Sequence, residues 1–172
     1  MRFNSKLFNL SALAAITALT VTAQAAPTSS AKVPATVTQT SISSEAALQV
    51  AKRAVDQCKS DGYSVTATVV DAAGTPLVQF RNENAGPHTL NSSYHKAFTA
   101  VSLKQPTTKY ADMIEKNPKL DPLRDMDSRL LLLGGGLPIK IGDTIIGGVG
   151  VGGAPGAHLD EACANAGLSI IK

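Results

Sequence analysis

Glycine punctuates the last third of this chain heavily, and that limits what the segment can become. Gly134-Gly135-Gly136 precede the apolar run 137–141, Gly142-Asp143 follows it, and Gly148-Val149-Gly150-Val151-Gly152-Gly153 closes the next run. The last stretch matches G-x-G-x-x-G in form. A dinucleotide site also requires a following strand and an acidic residue about 20 positions on, and the residues up to Lys172 supply neither. The glycines are therefore read as points where backbones approach closely across a small sheet. The loop 152–156 still opens a helix, whose free N–H groups and dipole favour an anion. Gly153 and Gly156 are accordingly candidate contacts for the carboxylate of a small-molecule ligand.

Periodicity supplies the elements. A first helix is capped by Ser43 or Ser44 and ended by Gly62, with Ala47, Leu48, Ala51, Ala54, Val55 and Cys58 on one apolar stripe. Residues 64–71 alternate Val65, Ala67 and Val69 with Ser64, Thr66 and Thr68, a half-buried strand. Turn chemistry (DAAGTP) leads into a second strand at 77–81. Thr89 can cap a second helix to about Leu103, and Thr107 a short third one ending before Asn117-Pro118; residues 120–129 read as a loop or single turn. The apolar run 130–133 reads as a third strand, 137–141 and 144–151 as two more, with Pro138 confined to an edge or a first position. A closing helix over 158–171 carries Leu159, Ala162, Cys163, Ala166 and Ile170 on its apolar stripe. Tight turns within each strand group favour an α+β domain, an antiparallel sheet flanked by helices, over a doubly wound parallel one.

The amino terminus has the three parts of a secretory signal peptide. Arg2 and Lys6 supply positive charge, residues 7–21 are uncharged and rich in Ala, Leu and Thr, and Ala23-Gln24-Ala25 offers a small-x-small cleavage site. A membrane anchor needs roughly 20 strongly apolar residues, and this run is shorter and diluted by Thr. The expected organisation is a signal peptide over 1–25, a disordered linker over 26–42 (APTSSAKVPATVTQTSI) and one domain over 43–172, in a periplasmic or secreted protein with no membrane span after cleavage. Cleavage lowers the net charge from +3 to +1, 14 basic against 13 acidic residues, with no basic stripe to attract nucleic acid.

Three histidines are present. No H-E-x-x-H, no C-x-x-C and no His pair at i, i+4 occurs, so no structural zinc site is expected. His88 follows Gly86-Pro87 at the mouth of a helix, and His158 stands in the first turn of the last helix, both beside loops where ligand-binding residues gather. His95, mid-helix, reads as a surface residue. No G-x-S-x-G occurs, Ser92-Ser93 read as solvated, and Asp160-Glu161 point apart on a helix, where both suit its positive end. The sequence thus leans away from an enzyme. Cys58 and Cys163 lie on the stripes of the first and last helices. They form a disulfide if those helices pack side by side, and otherwise are two small core residues.

The hairpin TATVVDAAGTPLVQFR, the segment SSYHKAFTA and the tail GDTIIGGVGVGGAPGAHLDEACANAGL resemble the GlcG/HbpS-like family over about residues 44–171. That family includes the glycolate-operon protein GlcG, the haem-binding HbpS and the C-terminal domain of PduO. The resemblance implies a five-stranded antiparallel sheet flanked by helices, assembly into a homo-oligomer, and haem or, less readily, corrinoid as cofactor. It makes His88 the first candidate for a haem iron ligand, His158 the second, and Lys96 a partner for a propionate. Three functions follow: haem binding or handling, binding or sensing of a small organic acid, and an enzyme on a small substrate. Cleavage after Ala25 predicts that the exported protein begins at Ala26. Intact-mass analysis checks this, and a soluble periplasmic chain that retains residues 1–25 would defeat it.

Overall fold

The computed structural model describes residues 33–171; the expected signal peptide, residues 1–25, lies outside the described residues. The elements are α1 (Ser44–Ser60), β1 (Thr66–Asp71), β2 (Pro76–Arg81), α2 (His88–Ser102), α3 (Thr107–Lys116), a 3-10 stretch (Pro118–Asp125), β3 (Gly136–Ile141), β4 (Thr144–Gly152) and α4 (Ala157–Leu168). Ser43 caps α1 by accepting the Ala46 N–H at 3.2 Å. Ile42, the last residue of the expected linker, is buried, and its N–H donates to Ile146 O at 2.8 Å. A bulge in the β3–β4 ladder leaves Ile146 without a β3 partner, which frees that carbonyl for residue 42.

The sheet is wholly antiparallel, in the order β2-β1-β4-β3. It has four strands, not five. The run 130–133 buries one large side chain, Leu132, and the Leu131 N–H donates to the Thr99 hydroxyl of α2 at 2.8 Å instead of to a strand. A short apolar run shows no period by which to tell a strand from packed coil. Pro138 sits on the edge strand β3, where its missing N–H costs no ladder bond to an outer neighbour.

Alternation along β4 sends Val149 and Val151 to one face and Gly148, Gly150 and Gly152 to the other. The valines join Val65, Ala67 and Val69 of the β1 region in a core closed by α1 and α4. Each fully buried valine there stabilises the fold by about 1.5–3 kcal/mol. On the glycine face α2 lies directly on the strand. A Cβ on Gly150 would stand 2.1 Å from Ser93 O and 2.4 Å from Ala97 N, and one on Gly136 would stand 2.4 Å from Lys96 O. No side chain larger than hydrogen fits between helix and sheet there.

Because α2 covers this face, β1 is buried on both sides and not on one. Its hydroxyls are satisfied by the helix: Thr66 bonds Thr89 at 2.6 Å and Thr68 bonds Ser93 at 2.7 Å. Ser93 is therefore a buried structural residue and not a solvated one.

α1 and α4 pack side by side, and Gly167 lets them close: a Cβ there would stand 2.7 Å from Val50 O. Cys58 and Cys163 meet in this seam with Cα atoms 5.5 Å apart and form a disulfide. It links positions 105 residues apart. On the chain-entropy model such a loop contributes about 4–5 kcal/mol. Alkylation of the unfolded, unreduced protein is expected to label no thiol, and two after reduction. Two labels before reduction would leave the seam held by packing alone.

Candidate functional site

β4 ends at Gly152, and the chain turns through residues 153–156 into α4. Gly153 holds φ +132°, and a Cβ there would stand 2.6 Å from Ser64 O, so the turn requires glycine. In the first turn of α4, Asp160 points inward. Its Oδ1 accepts the Ala154 N–H at 3.0 Å and its Oδ2 accepts Lys96 Nζ at 2.8 Å. Lys96 Nζ also donates to Val151 O at 2.9 Å. The two residues are 2% and 3% exposed, which takes both charges out of water.

This arrangement bears on two expectations. Within the glycine-rich loop the chain's own Asp160 carboxylate takes the Ala154 N–H. Lys96 is held by Asp160 and Val151 and is not available to a propionate. Burial pushes the Asp160 carboxyl up from the ordinary carboxylate range, against Lys96 and the Ala154 and Gly153 N–H groups, which pull it down.

The outer face of α4 is different in kind. His158, Glu161, Ala162 and Asn165, at i, i+3, i+4 and i+7, line an open cleft of about 470 Å³ together with Ala157 and with Thr108 of α3. Glu161 accepts a hydrogen bond from the Thr108 hydroxyl, which ties α3 to α4 along the cleft wall. His158 is exposed. Asp160 and Glu161 do point apart, one into the core and one into the cleft wall.

His88, the expected first ligand, is the exposed first residue of α2 and does not line this cleft. His95 is half-buried, its ring edge-on to Tyr94 at 5.4 Å between centroids, and is less open than expected. Among the described residues no three His, Cys, Asp or Glu side chains gather as a metal-ligand set. None of the described helices is long and apolar enough to cross a membrane.

Sequence reasoning missed the Lys96–Asp160 pair and the part played by Thr108. A signal for the pair existed. Lys96 shares the buried stripe of α2 with Thr89, Ser93 and Ala100, and Asp160 that of α4 with Cys163, Ala164 and Gly167. Opposite charges on two buried stripes point to each other. Thr108 carries no such mark.

The fold recurs in solved structures. A double mutant of HbpS from Streptomyces reticuli is 36% identical, covers 87% of this chain and 99% of its own, and superposes with a TM-score of 0.75. A PduOC–haem complex is 26% identical over 77% of this chain and 96% of that one, with a TM-score of 0.71. The chain spans under two thirds of the curated relatives it matches. It covers 63% of a 15.0 kDa protein of Citrobacter freundii, at 34% identity over 52% of this chain. It covers 32% of the corrinoid adenosyltransferase PduO of Salmonella typhimurium, at 28% identity over 61% of this chain. The family profile described as haem degrading protein HbpS-like matches residues 42–169, and the chain belongs to that HbpS-like family.

Proposed function

We propose that this chain is an exported haem-binding or haem-handling protein that takes the porphyrin at the α3–α4 cleft, with His158 as iron ligand. The observation that carries this reading is the exposed His158 imidazole in an open cleft of about 470 Å³. That volume lies within the roughly 300–1,000 Å³ of small-molecule sites. The lining offers the group an imidazole for iron from His158 and apolar surface from Ala157 and Ala162, beside polar Thr108, Asn165 and Glu161. Bound haem would supply redox-active iron. The chain's own part is to hold that iron through His158 and to keep the cleft wall in place through Thr108 and Glu161.

The reading reverses the sequence-based order of ligands, because His158 lines the cleft and His88 does not. Haem is favoured over corrinoid, since the corrinoid link runs through a relative of which this chain spans 32%. The organic-acid reading drew on the glycolate-operon relatives and on the glycine-rich loop, and in that loop Asp160 already takes the Ala154 N–H. The Cys58–Cys163 bridge supports export, because disulfides persist in oxidising compartments such as the periplasm.

Titration of the purified protein with haemin is expected to give a sharpened Soret band. His158→Ala is expected to weaken binding by more than about tenfold, or 1.4 kcal/mol, while His88→Ala and His95→Ala titrate close to wild type. Identical curves for wild type and His158→Ala would remove His158 as the ligand.

A further inference from the structure

His158 lies folded over the glycine two residues before it. A Cβ on Gly156 would stand 2.8 Å from Cε1 and 3.0 Å from Nδ1 of His158, and 3.8 Å from Nε2. The Cε1–Nδ1 edge of the ring thus rests on the glycine, and Nε2 lies farther out. His88 repeats the arrangement over Gly86, with 2.6 Å to Cε1, 2.8 Å to Nδ1 and 3.7 Å to Nε2.

Nothing in the backbone asks for glycine at 156. It is the N-cap of α4 with φ −150° and ψ 143°, extended values open to any residue, and no side chain caps the helix there. As an N-cap glycine ranks with Thr, below Ser, Asp and Asn, so a serine here would cap at least as well. The three atoms nearest to a Cβ at this position all belong to the movable ring of His158, so the fold can accept one by letting the imidazole swing away.

We propose that Gly156 is a positioning residue for the His158 imidazole: the missing Cβ lets the ring lie over the start of α4 with Nε2 held outward as the ligating atom. This rests on the reading of His158 as the iron ligand. It also separates the roles of the two candidate glycines. Gly153 serves the backbone turn, and Gly156 serves the orientation of a ring.

The experiment uses the full mature protein as wild type, Gly156→Ala, Gly156→Ser, Gly86→Ala and His158→Ala. Serine brings the same Cβ but restores a favoured cap, so a loss shared by both Gly156 variants does not come from the helix end. In the haem-free protein, NMR is expected to show a cross-peak between the Gly156 α-protons and His158 Hε1 in wild type. Both Gly156 variants retain the fold, as read by Tm, but lose the ring's wild-type chemical shift. Their haemin affinity falls by about tenfold, the scale of losing support for a metal ligand, and the Soret maximum moves toward that of His158→Ala. Gly86→Ala, which displaces the other ring, titrates like wild type. No cross-peak in wild type would overturn the seat. Wild-type titrations for both Gly156 variants beside a weakened His158→Ala would overturn the positioning role and leave the cleft reading standing. A wild-type titration for His158→Ala would overturn the ligand reading and, with it, Gly156 as its positioning residue.

Discussion

Between the two helical layers, where β3 begins and β4 ends, Lys96 of α2 and Asp160 of α4 form an ion pair of 2.8 Å with 3% and 5% of their side chains exposed. Removing two charges from water costs several kcal/mol per ion, and their attraction offsets that only where the remaining lone pairs and protons are also satisfied. Here they are: the ammonium reaches Val151 O and the carboxylate takes the Ala154 N–H. Gly135 makes the meeting possible. It holds φ +110°, and a Cβ on it would stand 2.7 Å from Asp160 Cβ, 2.8 Å from Val151 O and 3.0 Å from Lys96 Nζ. The pair fixes where α4 starts relative to β4, and so where His158 and Glu161 emerge on its other side.

The same economy of space runs along β4. Glycine at every second position removes the side-chain layer that normally separates helix from sheet, and α2 settles backbone against backbone. That close seat brings Lys96 near enough to reach across the strand ends. The opposite face is built in the ordinary way, with valine against alanine, and sealed by the disulfide between α1 and α4. The cleft therefore lies on a helix held from both sides: by an ion pair at its start and by a covalent bond through Cys163 one turn later.

Much of this was legible in the sequence. The helices α1 and α4, the β1–β2 hairpin and the antiparallel β3–β4 pair follow from spacing and turn residues, and Cys58 and Cys163 do meet. The buried stripe of α4, however, is Asp160, Cys163, Ala164 and Gly167, and of the expected one Ala162 and Ile170 are exposed. What failed has a common cause. Helix α2 covers a face that alternation alone marks as wet, because Thr66 and Thr68 look polar in one dimension and are paired hydroxyls in three. The run 130–133 is apolar without a period, and its Leu131 N–H bonds a hydroxyl of α2 while the Leu130 N–H turns back to Asp127 O. Thr89 and Thr107, expected as caps, do not cap: the Thr89 hydroxyl bonds Thr66 and Gly86 O, and the Thr107 hydroxyl accepts the Gly136 N–H. His158 was identified as a candidate, but the cleft it lines is completed by Thr108 of α3 meeting Glu161 of α4, a contact that no local pattern encodes.

Urea unfolding of Lys96→Met, Asp160→Leu and the double variant reads the buried pair directly. Each single change leaves one uncompensated buried charge and is expected to cost about 3–5 kcal/mol, whereas the double variant, with two apolar residues of similar size, is expected to return to within about 1–2 kcal/mol of wild type. Single variants that cost under about 1 kcal/mol, or losses that simply add in the double variant, would contradict an ion pair that sets the start of α4.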